Sequence, residues 1–304
     1  MKEVDWLRYN KHVMPELPEV ETIRRGLDAL IVGKTIHSAH NYDSPKSFPN
    51  ALGDVSSFLV GANVVSVKRR AKLLLIELSS GYTLACHLKM TGQIIVVSDA
   101  ARWGGGHPSD SFLRTLPDNT TREHIEFTDK TRLYFNDLRK FGWMKLYPTA
   151  EIPNIYFMRK VGPEPLEASF TAENFILRMR RRSGTSVKAA LLDQTVLAGV
   201  GNIYADESLW GAKIHPGCKV AEVTDEKLAV LLNEVKKVMQ LSIEKGGSTD
   251  KNYVNAEGKK GSYLSFANVF RREGHPCPRC GTTIIKTRVA GRGTHLCPNC
   301  QKLA

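Results

Sequence analysis

Nowhere in these 304 residues does an apolar run approach the ~20 residues that a bilayer-spanning helix needs. The best stretch, residues 73–78, is short and already holds Glu77. No membrane partner is expected. Acidic charge is also in short supply, with 31 Asp and Glu against 43 Lys and Arg, a formal charge of +12 and a pI near 9.4. That balance favours an anionic partner such as nucleic acid. Cysteine is scarce, and of the six, Cys86 and Cys218 stand apart and read as packing residues. There is no internal repeat or low-complexity tract. With 42% hydrophobic and 24% charged residues, the composition is globular and the length allows two cored domains. Residues 1–13 carry Lys2, Glu3, Asp5, Arg8 and Lys11 without an apolar centre, so they are not read as a secretory signal.

The other four cysteines are concentrated near the C-terminus. Cys277, Cys280, Cys297 and Cys300 form two C-x2-C pairs separated by sixteen residues. Each pair sits on a tight knuckle, Cys277-Pro278-Arg279-Cys280 and Cys297-Pro298-Asn299-Cys300. Two such knuckles complete a tetrahedral thiolate site for one zinc ion. The site is structural because four protein ligands leave no open position, and a module this small needs its metal to fold. The competing arrangement is a pair of disulfides, which suits an oxidising compartment.

Hydrophobic periodicity divides the chain. Val20, Ile23, Leu27 and Leu30 recur at helical spacing, and Gly33 supplies a stop. Strands are predicted over 64–67, 73–78, 83–86, 93–97, 124–127, 132–135 and 143–147, interrupted by a polar excursion at 99–121 to which no role is assigned. Pro148 to Pro165 is rich in proline and glycine. Beyond it the period changes to helical, with segments over 171–181, 187–193, 203–210 and 224–244. The fold class is α+β and multidomain: an N-terminal β-sandwich carrying an N-terminal helix, then a helical domain, then a zinc finger with four cysteine ligands. The boundaries expected are an extension at 1–13, a sandwich at 14–147, a linker at 148–166, a helical domain at 167–268 and the finger at 269–304.

Chemistry is concentrated at Met14-Pro15-Glu16-Leu17-Pro18-Glu19-Val20-Glu21. A proline after an initiator-type methionine can become an N-terminal secondary amine. An α-amino group has a reference pKa near ~8 against about 10.4 for lysine, so an appreciable fraction is unprotonated and nucleophilic at neutral pH. The same string also reads as an ordinary helix entrance. Thirteen residues precede Met14, and inside a peptide bond the proline nitrogen is an amide with no usable lone pair. The expectation is therefore that the working protein starts at Met14, loses it, and exposes Pro15. Elsewhere, Gly199-Val200-Gly201-Asn202 opens a helix and can face an anion, or be only a turn. Lys72 follows Arg69 and Arg70 at the edge of an apolar strand, and by itself reads as a solvated strand end.

Together with Arg69-Arg70-Ala71-Lys72, His87-Leu88-Lys89-Met90-Thr91-Gly92, Asp137-Leu138-Arg139-Lys140-Phe141-Gly142, Gly162-Pro163-Glu164-Pro165-Leu166, Gly199-Val200-Gly201-Asn202 and the cysteine module, that string resembles the formamidopyrimidine-DNA glycosylase family over nearly all of 14–302. The resemblance implies a bifunctional base-excision repair enzyme with no redox or nucleotide cofactor. It would excise oxidised purines (8-oxoguanine and formamidopyrimidines) from double-stranded DNA and cut the strand by β,δ-elimination. It assigns Pro15 as the Schiff-base nucleophile, Glu16 as the proton-moving acid and base, and Glu19 as a supporting residue. Lys72 and Arg292 serve the phosphates at the lesion. Met90, Arg139 and Phe141 fill the gap left by the everted nucleotide. Asn202, in a helix-two-turn-helix element, contacts phosphate with help from Lys188. The implied protein is a monomer in the bacterial cytosol, on the nucleoid. Two alternatives stand beside it: an oxidised-pyrimidine glycosylase of the endonuclease VIII type, and a noncatalytic zinc-ribbon lesion binder if Pro15 stays blocked. The segment 248–268 occupies the place of a loop that closes over the excised base in that family.

Overall fold

The computed structural model describes residues 14–42, 45–107, 110–248 and 263–303. The expectations for residues 1–13 and 249–262 lie outside the described residues. Two compact units result, the first running through Met158 and taking in residues from Gly246, the second beginning at Arg159.

The first unit opens with helix α1 (Leu17–Ile31), where Pro18 sits in the first turn and lacks only an N–H that no helix start could use. Val20, Ile23, Leu27 and Ile31 lie on its buried face. Nine strands follow: β1 (Ile36–Asn41), β2 (Val64–Arg70), β3 (Leu73–Leu78), β4 (Tyr82–His87), β5 (Gly92–Val97), β6 (Arg102–Gly106), β7 (Thr121–Phe127), β8 (Arg132–Asp137) and β9 (Trp143–Pro148). They form a five-stranded sheet in the order β1-β7-β8-β5-β6 and a four-stranded sheet in the order β2-β3-β4-β9, antiparallel throughout. Side chains from both sheets and from α1 share one core that includes Ile23, Leu27, Leu74, Cys86, Ile94, Trp103, Phe135 and Met144. The β-sandwich with its leading helix is therefore present.

Two of these strands escape the periodicity reading. In β1 only Ile36 is buried, so there is no alternation to read. The excursion at 99–121 contains β6, whose Arg-Trp-Gly-Gly-Gly sequence resembles a loop. Its glycines answer to packing, because the Phe112 ring occupies the space a side chain on Gly104 would need. Gly26 in α1 makes room in the same way for the ring of Trp103.

The second unit contains α2 (Ala172–Arg180), α3 (Val187–Leu192), α4 (Asn202–Gly211) and α5 (Asp225–Glu244). Hydroxyl caps start three of them: Thr171, Ser186 and Thr224 accept from the N–H groups of Asn174, Ala189 and Lys227. Leu228, Leu231, Leu232, Val235, Val238 and Met239 line the buried face of α5, as the helical period requires. The hairpin of β10 (Ile285–Val289) and β11 (Arg292–Leu296) carries the last pair of cysteines beyond its second strand.

Candidate functional site

At the start of α1, Pro15 is buried and Glu16, the residue preceding the first helical turn, is also buried. The Glu16 N–H donates to Glu19 Oε2 at 2.9 Å, and the other Glu19 oxygen accepts from the Ser248 N–H at 2.8 Å. Glu19 thus ties the backbone beside Pro15 to the chain that returns after α5. Glu21, one turn on, accepts from Arg69 Nε at 3.1 Å and from Arg24 and Arg25. Burial raises its pKa, but hydrogen bonds and charge from these arginines outweigh that and hold it below the usual carboxylate value. Arg69 is thereby committed to Glu21 and to the Ala71 carbonyl. It fastens the β2–β3 turn to α1.

That turn carries Lys72. It is buried, at 5% exposure, rather than at a solvated strand end, because Ala71 takes a left-handed φ of 53° and turns the chain inward. Beside it, Leu73 pairs with His87. Burial, with the charges of Lys89 and Lys72, pushes the His87 pKa down to about 3, so its ring is neutral. His87 Nδ1 accepts from the Lys89 N–H at 3.0 Å and shapes the turn leading to Met90.

Met90 is partly buried on the β4–β5 turn, while Arg139 and Phe141 project from the β8–β9 turn. The Arg139 guanidinium lies 4.9 Å from the Phe141 ring centroid, and Phe141 is 55% exposed. An apolar ring so exposed beside a guanidinium is unusual for a core residue and suits insertion between bases. The side chain that joins these two turns is Asp137, to which the sequence of residues 137–142 by itself gives no role.

In the second unit the three residues read as phosphate contacts part company. Lys188 is fully buried, and its ammonium donates to Asp206 Oδ1 at 2.6 Å, Thr294 Oγ1 at 2.8 Å and the Gly293 carbonyl at 3.0 Å. An outward phosphate contact is not what this geometry provides. Lys188 instead holds the hairpin against α3 and α4, because a buried ammonium must find acceptors. Asp206 completes the brace by accepting from the His295 N–H at 2.9 Å. Asn202, at the first position of α4, donates from Nδ2 to the same Gly293 carbonyl at 3.0 Å. Arg292, at the exposed start of β11, is one residue from that shared carbonyl. Asn202 and Arg292 are therefore brought together, and Lys188 sets their frame. Asp206 gave no sequence signal, since an acid inside a helix is ordinary until its partners are known.

The sulfur atoms of Cys277, Cys280, Cys297 and Cys300 lie within 4.8 Å of one another, and all four cysteines are free thiols. This separation suits four thiolates around one ion with Zn–S bonds of about 2.3 Å better than a pair of disulfides. The Trp210 indole N–H donates to Cys277 Sγ at 3.4 Å, and the Cys300 N–H to Cys297 Sγ at the same distance. Such donors stabilise sulfur-borne negative charge. The residues present fit a single structural zinc ion. No helix among the described residues is long and apolar enough to cross a membrane.

Three family models match in succession: "Formamidopyrimidine-DNA glycosylase N-terminal domain" over 14–144, "Formamidopyrimidine-DNA glycosylase H2TH domain" over 161–253, and "Zinc finger found in FPG and IleRS" over 274–303. Formamidopyrimidine-DNA glycosylase of Pediococcus pentosaceus is 41% identical over 95% of this chain and 100% of its own length. That of Streptococcus pyogenes serotype M28 is 40% identical over 95% and 99%. Among solved structures, Lactococcus lactis Fpg in complex with abasic-site DNA aligns with a TM-score of 0.82 at 33% identity, over 94% of this chain and 99% of that one. MutM in complex with DNA containing carbocyclic 8-oxo-G aligns at 0.81 and 34% identity, over 95% and 100%.

Proposed function

Because the chain belongs to the formamidopyrimidine-DNA glycosylase family, we propose that Pro15, freed at its nitrogen, is the nucleophile of a glycosylase and abasic-site lyase acting on oxidised purines in duplex DNA. The nitrogen attacks C1′ of the everted nucleoside, the bond from C1′ to the base breaks, and the base leaves with a proton. Glu16 moves protons at the sugar, and Glu19 holds the Glu16 backbone in place. The C1′–O4′ bond then breaks as O4′ takes a proton from Glu16, and the opened sugar is held as an iminium that acidifies the C2′ hydrogen. Its removal expels the 3′ phosphate, and a second elimination expels the 5′ phosphate. Lys72, Arg292 and Asn202 serve the phosphates around the lesion, with Lys188 as a brace. Met90, Arg139 and Phe141 occupy the space the nucleotide leaves, so the duplex does not close behind it. Zinc, held by the four cysteines, stiffens the hairpin that presents Arg292.

The observation that carries this reading is the buried Pro15-Glu16 pair at the start of α1, with Glu19 bonded to the Glu16 N–H. The first family model begins at residue 14, which supports a working chain starting there. In this reading residues 14–147 are the catalytic domain, 148–166 a linker, 167–268 the helix-two-turn-helix domain and 269–304 the finger. The protein works as a monomer in the bacterial cytosol, where its duplex substrate lies. Names among the relatives place the oxidised-purine reading ahead of the oxidised-pyrimidine one.

Borohydride trapping on an 8-oxoguanine duplex, with intact-mass measurement of the native protein, tests the proposal. Protein beginning at Pro15 should form a covalent complex, and protein retaining residues before Pro15 should not. A trapped complex from protein acylated at that nitrogen would refute the mechanism.

A further inference from the structure

Two turns from different parts of the sequence carry the side chains that fill the duplex, and one buried carboxylate is bonded to both. Asp137, at the end of β8, is fully buried. One of its oxygens accepts from the Thr91 hydroxyl and from the Arg139 N–H at 3.2 Å. The other accepts from the Gly142 N–H at 2.6 Å. The Arg139 N–H is shared with Thr91 Oγ1 at 3.0 Å, which closes the network. We infer that Asp137 is the positioning residue of the Met90, Arg139 and Phe141 set, fastening the β4–β5 turn to the β8–β9 turn so that all three enter DNA from one preset frame. This rests on the reading above, in which those side chains fill the gap.

Local turn chemistry explains only part of the arrangement. An aspartate accepting from the N–H two residues on is a common way to start a turn. It does not explain the bond to Thr91, which is 46 residues away and next to Met90. Nor does core packing require it, because a buried carboxylate is costly unless its lone pairs are filled, and here the donors come from both turns. Asp137 is itself anchored, its N–H donating to the Thr120 carbonyl at 2.8 Å and its carbonyl accepting from Arg122 Nε at 2.9 Å.

The turns need such a fastening. Lys89 and Lys140 both adopt left-handed φ values, 52° and 57°, which non-glycine residues hold only when their surroundings insist. At Gly142 an added Cβ would meet the Phe135 ring at 2.7 Å, so the backbone is pressed close to the sheet. Turns held in this shape before DNA arrives avoid an ordering cost on binding.

A duplex with 2-aminopurine beside 8-oxoguanine reports base displacement by its fluorescence, and this readout needs no free proline nitrogen. With zinc-loaded protein, Asp137→Asn should slow the fluorescence rise roughly tenfold, since the new amide must point a donor at a donor. Thr91→Val should act in the same direction, and Thr91→Ser, which keeps the hydroxyl, should match the unaltered protein. In a background of Met90→Ala, Arg139→Ala and Phe141→Ala, Asp137→Asn should add nothing. Unchanged opening in Asp137→Asn or Thr91→Val, or an additive loss in that background, would overturn the inference. If Asp137→Asn does not fold, the Thr91 pair decides. Should the triple variant open DNA as fast as the unaltered protein, the gap-filling reading itself fails and this inference with it. If the triple variant is slow and Asp137→Asn is not, the inference alone falls.

Discussion

His87 and Lys188 are polar residues whose surroundings, rather than their identities, decide what they do. His87 sits among apolar neighbours, with the Phe157 ring edge-on at 5.7 Å, and two lysine charges act on it. Below the ordinary imidazole value of 6.5 the unfolded chain takes up a proton that the folded chain refuses until about pH 3. The unfolded state binds more protons across that window, so stability falls as pH drops through it. His87→Asn should flatten the dependence by about one proton, as measured by urea unfolding between about pH 4 and pH 6.5. An unchanged slope would mean that His87 is protonated in the folded protein. Asp137 illustrates the same point for legibility: its motif is visible in the chain, but its partner Thr91 is far off in sequence and emerges only when β5 pairs with β8.

Elements with a strong local signal were readable directly. Helix α5 has its hydroxyl cap and an unbroken apolar face, and α2 begins at its threonine cap. Strands β1 and β6 were not readable, because one lacks alternation and the other is mostly glycine, and both are held by neighbours rather than by propensity. The hairpin of β10 and β11 is held in two ways, by its metal and by the Lys188–Asp206 pair. Lys188→Met leaves Asp206 buried without its cation, which should destabilise this region by about 3–5 kcal/mol. Adding Asp206→Asn removes the stranded charge and should recover a large part of that loss. Zinc release followed by a chelating dye during urea titration checks both, and equal release midpoints in the unaltered and single-variant proteins would argue against the brace.

At the scale of the molecule, each unit has its own source of stability. The first owns a core between two sheets, while the finger depends on its ion. Chelation should therefore abolish DNA binding while the sandwich stays folded, as read by binding assays alongside circular dichroism. Arg292→Ala in the loaded protein should weaken binding and lower the salt dependence by about one phosphate contact. Pro15 or Glu16 replacement should instead stop base release and spare affinity. Equal loss of affinity in both sets would contradict the division between grip and chemistry.

Composition, periodicity and cysteine spacing determined by themselves the helix-led sandwich, the helical second part and the zinc module, because each is written in residues close together in the chain. Tertiary structure alone decided that Lys188 faces inward, that Lys72 is buried, and that Asp137 and Asp206 act as fasteners. The physical reason is that a buried charge must find its counterparts wherever folding brings them, and the deciding ones, Thr91 for Asp137, His295 for Asp206 and Thr294 for Lys188, lie 46 to 106 residues away, beyond the reach of any local pattern.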